Sequence, residues 1–258
     1  MTLSPNTFIY SPLDQFEIHS LISLELPFLG YTSLDLTNMG IYFLILLLTL
    51  FFFNYFITRN NKVLSNGWNL GVESLYMTVL NTVQNQIGSA GLKYFPFIYS
   101  LFIFILLANF IGMIPYSFAV TSHLIFTVAL SMTILIGVTL LGIQLHGFHF
   151  FSFFVPSGVP TLLLPFLTLI EFILYLSRGL SLGIRLGANV MAGHMLLKIL
   201  SGFIYKIMIS GILFFILGLI PLTLLLAISA LEFAIAFIQA YVFMVLTSSY
   251  IKDSIYLH

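Results

Sequence analysis

Seven ionisable side chains sit toward the C-terminus in stretches otherwise apolar enough for lipid: Glu171, Arg178, Arg185, His194, Lys198, Lys206 and Glu232. Each charge at a bilayer centre costs roughly 2.5–3.5 kcal/mol on insertion scales, and such residues normally face protein or a wet cavity on an ion or proton pathway. The types suit proton movement. Carboxyl and imidazole groups take up and release protons, whereas a guanidinium keeps its charge. At about 100° per residue, Glu171, Arg178 and Arg185, spaced by sevens, share one helical stripe, which Ser181 and Asn189 widen on either side of Arg185. His194 points to the opposite side. Along the axis, Glu171 lies about 21 Å to one side of Arg185 and His194 about 13 Å to the other. A titratable group thus stands on each side of a fixed positive charge. Glu232 and Gln239, also seven apart, make a second polar stripe.

Each residue also has a plainer reading. Lys198 and Lys206 are long enough to snorkel to a surface. Arg178 can pair with Glu171 through a bend or serve packing alone. His194 by itself reads as a hydrogen-bonded interior histidine, and Arg185 by itself as half of a salt bridge between helices. Asn109, inside another apolar stretch, has the common fate of an intramembrane amide, a hydrogen bond to a neighbouring helix. His146 and His149 lack a third ligand nearby, so an interfacial turn outranks a metal site there. No nucleophile–base pair, metal set or phosphate loop supports a free-standing enzyme.

The scaffold must be a membrane one. Of 258 residues, 60% are apolar and 6% charged, against roughly 25% charged in soluble domains. The mean hydropathy is +1.13. Eight basic residues balance eight acidic ones, which removes the basic excess of a nucleic-acid-binding chain. There is no cysteine. The first ten residues contain no Lys or Arg, unlike a secretory signal or an imported presequence, which points to insertion where the chain is made.

The expected fold is an all-α polytopic membrane protein with five membrane segments and an interfacial amphipathic helix. Residues 1–35 form an N-terminal segment with acidic Asp14, Glu17, Glu25 and Asp35. Residues 36–66 hold the first transmembrane helix and its basic flank. Arg59 and Lys62, with Lys93, mark the inner side. Residues 67–93 read as a helix in the interface, or equally as a connector packed on a partner. Residues 94–145 make a transmembrane hairpin, its first arm ended by Pro115. Residues 146–160 are a surface turn. Residues 161–258 form two long segments, the second broken near Pro221. The first, about 45 residues, extends about 67 Å, twice the hydrocarbon thickness, so it tilts steeply, bends or lies partly along the membrane. Five crossings from an outer N-terminus leave the C-terminus inside.

The segment SLGIRLGANVMAGHMLLKILSG around Arg185, LEFAIAFIQAYVF around Glu232, the terminal SYIKDSIYLH, LLANFIGMIPYSF and SPLDQFEI together resemble the subunit a family of the mitochondrial ATP synthase in its fungal form. The resemblance implies a proton-translocating subunit that abuts a c-ring and contacts other membrane-sector and peripheral-stalk subunits and lipid. It implies no cofactor and no ATP chemistry of its own. It implies Arg185 as the essential arginine at the ring, His194 and Glu232 in the intermembrane-space half-channel, and Glu171 and Asp253 in the matrix half-channel. Asn189, Gln239, Arg178 and Asn109 are the supporting polar groups. The implied location is the mitochondrial inner membrane, N-terminus in the intermembrane space and C-terminus in the matrix, with a leader removed before Ser11. A proton-coupled secondary transporter is the competing reading; it calls for inverted repeats, and none is visible. A purely structural anchor leaves Arg185, His194 and Glu232 unexplained.

Overall fold

Five helices in a computed structural model of the chain are long and apolar enough to cross a bilayer. The structure describes residues 13–25, 33–59, 67–114, 117–155, 160 and 163–256. Ser11, Lys62 and Pro115 lie outside the described residues. The helices are α1 (Asn38–Arg59), α2 (Gly67–Ile87), α3 (Phe95–Gly112), α4 (Leu124–His146), α5 (Leu164–Ile209) and α6 (Ile212–Ile255). Short 3-10 turns at Ser89–Tyr94, Val120–Ser122 and Gly147–Phe154 join some of them.

Before α1, the strands β1 (Ser20–Glu25) and β2 (Ser33–Thr37) pair antiparallel, an element the hydropathy pattern does not announce. Asn38 ties this ribbon to the first helix. Its side-chain amide donates to the Glu17 carbonyl at 2.9 Å, and its oxygen accepts the backbone N–H of His19 at 3.3 Å and of Met39 at 2.8 Å.

The core sits around α3. This helix starts with Pro96 in its first turn, where a missing N–H costs nothing. Ile98, Phe102, Ile105 and Asn109 are buried along its length. Helix α2 lays Val79, Val83 and Ile87 into the same core, and Tyr76 packs edge-on against Phe95 at 4.9 Å. Its apolar stripe therefore rests on α3 and α6 of its own chain.

Helices α4 and α5 approach through glycines. A Cβ on Gly187 would stand 2.6 Å from Thr127 Oγ1, one on Gly179 2.8 Å from Leu135 Cδ2, and one on Gly183 2.7 Å from both the Thr127 carbonyl and Val128 Cα. Small residues every fourth position let membrane helices pack by backbone contact. They also turn α5 so that Leu182, Leu186 and Val190 are buried while Arg178, Ser181, Arg185 and Asn189 stay exposed.

The last two helices form an antiparallel hairpin linked by Ser210 and Gly211. Gly211 has φ +151°, a region nearly closed to other residues. Helix α6 is not broken at Pro221; it runs through it to Ile255. Proline removes one backbone donor, and membrane helices tolerate this because neighbours and local adjustment satisfy the freed carbonyl.

The bundle has two ends. Tyr42 near the start of α1 packs on Phe118 at 6.0 Å, so the start of α1 and the α3–α4 turn share one end. At the other, His146 closing α4 bonds through Nε2 to the Ile255 carbonyl at 3.1 Å.

Candidate functional site

The α5–α6 hairpin holds one register from end to end. Gly218 faces Met208, Gly193 faces Glu232, and the Tyr250 hydroxyl donates to the Arg178 carbonyl at 3.3 Å. That register sets Arg185 at the level of Gln239–Tyr241. The Arg185 side chain lies on the exposed face of α5 and forms no ion pair among the described residues. The salt bridge between helices that Arg185 alone could suggest is thus not made among the described residues. Asn189, one turn on, is exposed on the same face, and Gln239 is half-buried.

Toward the interhelical link, about 12 Å along α5 from Arg185, lies a buried polar cluster. Glu232 is only 6% exposed, and neither of its carboxyl oxygens has a hydrogen-bonding partner among the described residues. Gly193 makes the space for it: a Cβ there would stand 2.5 Å from Glu232 Oε1. His194 follows in sequence, and its Nε2 is buried and unpartnered as well. That nitrogen lies 4.0 Å from where a Cβ on Gly112 would sit, so the end of α3 is opened by a glycine too. Asn109 donates from Nδ2 to the Ala236 carbonyl at 3.1 Å, bonding α3 to α6, while its Oδ1 remains buried without a donor. Buried polar atoms are almost always paired, with protein or with ordered water. So many left unpaired side by side mark a place where water belongs.

In the opposite direction, about 10 Å from Arg185, the second cluster is built differently. Arg178 and Asp253 form an ion pair at 3.6 Å, both side chains partly exposed. They line a crevice with Tyr175, Tyr250 and the aromatic rings of Phe150 and Phe153. Arg178 therefore pairs with Asp253 of α6 and not with Glu171 of its own helix, because the antiparallel register brings the end of α6 alongside. Glu171 is half-buried two turns before Arg178 and makes no ion pair among the described residues. Lys198 is half-buried and Lys206 exposed.

The fold thus gathers Asn109, His194 and Glu232 on one side of Arg185, and Arg178 and Asp253 on the other, with Glu171 further along α5. Sequence reasoning missed four polar neighbours. Tyr175 and Tyr250 each stand three residues before a charged member of the second cluster, a helical spacing that could have found them. Thr121 and His123, on the turn after α3, carry no periodic signal. Among the described residues no group of three or more His, Asp or Glu side chains converges as a metal site.

Residues 39–252 match the model of a family described as ATP synthase A chain. The chain is 60% identical to ATP synthase subunit a of Emericella nidulans over 253 residues, covering 97% of this chain and 98% of that one. It is 57% identical to ATP synthase subunit a of Podospora anserina over 96% of this chain and 94% of the relative. It is 55% identical to that of Neurospora crassa over 100% and 99%.

Proposed function

This chain belongs to the ATP synthase A chain family, and from that membership we propose that it is the proton-conducting stator subunit of a rotary ATP synthase. It lies in the mitochondrial inner membrane against a ring of c subunits, each carrying a membrane-embedded carboxylate, with other membrane-sector and stalk subunits around it. Its N-terminus is in the intermembrane space and its C-terminus in the matrix. ATP chemistry belongs to other subunits.

Two half-channels meet the ring at different heights. A proton from the intermembrane space passes through water, His194 and Glu232 to a ring carboxylate. The neutralised carboxyl then crosses lipid at low cost, and the ring turns until that carboxyl reaches the second half-channel. There it releases its proton toward Glu171 and Asp253 and the matrix. Arg185 separates the two. Opposite charges 4 Å apart at an effective dielectric near 20 attract by about 4 kcal/mol, so Arg185 favours the ionised carboxylate as it passes. The same charge repels a proton that would hop directly between channels. A guanidinium does this better than an ammonium because it does not deprotonate. The membrane potential adds about 2.3 kcal/mol per charge per 100 mV.

One observation carries this reading: Arg185 is exposed and forms no ion pair among the described residues, between two polar clusters on one hairpin. A charge so placed suits an anion that passes along this face. The test is a cross-link. Asn189→Cys, one exposed turn from Arg185, should form a disulfide with a cysteine placed beside the ring carboxylate. Failure to cross-link in the assembled complex would remove the ring from this face.

A further inference from the structure

The seam between α3 and α4 is filled toward one end of the bundle and open toward the other. On the side where α1 begins, three rings fill it. Phe104 of α3 and Phe126 of α4 lie 6.5 Å apart, and Phe43 of α1 stands 6.4 Å from the first and 6.3 Å from the second. The same two helical stripes continue past these rings, through Phe97 and Leu101 on α3 and through Leu130, Gly137 and Leu141 on α4. There the seam widens into a groove of about 390 Å³, which Ile251 near the end of α6 helps to line.

That volume lies within the range of small-ligand sites, about 300–1,000 Å³. Gly137 gives the groove width: a Cβ there would meet nothing within 4 Å, whereas Gly179, Gly183 and Gly187 of α5 are pressed against α4. The wall is apolar in character. Thr133, on the α4 side, donates its hydroxyl to the Ala129 carbonyl of its own helix at 2.8 Å, which leaves that donor engaged.

Length selects the kind of occupant. From Leu130 to Leu141 the groove follows α4 for about 16 Å, roughly one leaflet of a 30 Å hydrocarbon core. A partner helix crosses the whole core and would run into Phe43, Phe104 and Phe126 halfway. A lipid chain needs one leaflet only. Charge selects the headgroup. Lys93 precedes Tyr94 and Lys252 follows Ile251, both at the open end of the groove. Both lysines are exposed and form no ion pair among the described residues. Asp253, the carboxylate next in sequence, is paired with Arg178.

We propose that this groove holds one acyl chain of an anionic phospholipid whose phosphate is drawn to Lys93 and Lys252. Lipid tails are as apolar as the wall, so the chain is held by packing and not by release of water. Selectivity comes from the two cations, since each lysine near a membrane surface favours anionic lipid. The bound chain fills the space between α3, α4 and the end of α6. The inference does not depend on the proton path.

The test uses the whole complex in phosphatidylcholine vesicles containing a small fraction of phosphatidylglycerol with a photoreactive acyl chain. After illumination, peptides covering residues 97–101 and 130–141 should carry the lipid. Phosphatidylglycerol should label them about five-fold or more above phosphatidylcholine with the same photoreactive chain, the scale set by a single lysine. Lys93→Gln combined with Lys252→Gln should bring the two lipids level while labelling persists. Gly137→Leu, on an open face, should reduce labelling by both. Equal labelling by the two lipids in the parent would mean ordinary lipid contact and overturn the site. Unlabelled peptides in the parent complex would mean that another protein covers the groove, and would overturn it too. A preference that survives the double lysine variant would overturn the role of the two cations.

Discussion

The two polar clusters flanking Arg185 are built on the same pair of helices by opposite means. Toward the interhelical link, the Glu232 carboxyl oxygens and His194 Nε2 are buried, and no group among the described residues bonds to them. Toward the end of α6, Arg178 and Asp253 satisfy each other in a crevice open to the surface. The difference follows from what stands opposite on the neighbouring helix. Gly193 and Gly112 offer space and no donor to the first cluster, whereas the antiparallel register offers a cation to Asp253. A buried group without protein partners can exchange protons with water. A group held in an ion pair must first leave its partner to do so.

If Arg185 divides two such regions, its removal should have the largest effect. Arg185→Ala should lower ATP-driven proton pumping in vesicles on the order of 100-fold or more, the scale on which positioned charges act in sites shielded from water. Arg185→Lys should not restore it, because an ammonium can lose its proton. Normal pumping in either variant would erase the distinction between the two sides.

A smaller effect is expected from the unpaired cluster. Glu232→Gln or His194→Ala should slow ATP synthesis by at least about 10-fold when proton-motive force is limiting, with the complex still assembled. Unchanged turnover under those conditions would mean that protons reach the ring by another route.

The glycines sharpen the comparison further. Gly193→Ala brings a methyl group against the Glu232 carboxyl, the movable end of a side chain. It should displace that carboxyl and reduce proton delivery while leaving thermal stability within about 1 kcal/mol. Gly183→Ala meets backbone of α4 at 2.7 Å, which cannot swing aside, so it should destabilise the α4–α5 contact by about 1–3 kcal/mol. Thermal unfolding of the assembled complex, read beside its pumping rate, separates the two; equal losses of stability would contradict the difference in packing.

Much of this was legible in residues spaced along helices. The sevens linking Glu171, Arg178 and Arg185, and the half-turn offset of His194, depend only on helical geometry, and the structure keeps Arg178 and Arg185 on one exposed face with His194 turned inward. Partnership across helices was not legible. That Arg178 meets Asp253 depends on the register of α5 against α6, which a link of two residues sets and no periodicity encodes. Pro221 misled for a related reason. Its cost in an isolated helix is large, but membrane helices tolerate proline, and α6 runs through it.

The smallest expected effect completes the contrast. The Arg178–Asp253 pair is partly exposed, and pairs of that kind contribute about 0–1 kcal/mol because solvent screens them and holding two side chains costs entropy. Asp253→Asn should therefore leave the amount and thermal stability of the assembled complex close to the parent's. The pair would then be a reversible contact, one that a proton arriving at Asp253 can open. Neutralising Asp253 releases Arg178, whose charge then discourages the proton from lingering, so release to the matrix side follows. Asp253→Asn should slow proton release more than it weakens assembly, seen as a lower pumping rate with normal complex content. Loss of the subunit from the complex in that variant would instead make the pair a structural clamp, and the two flanks of Arg185 would no longer divide the work in this way.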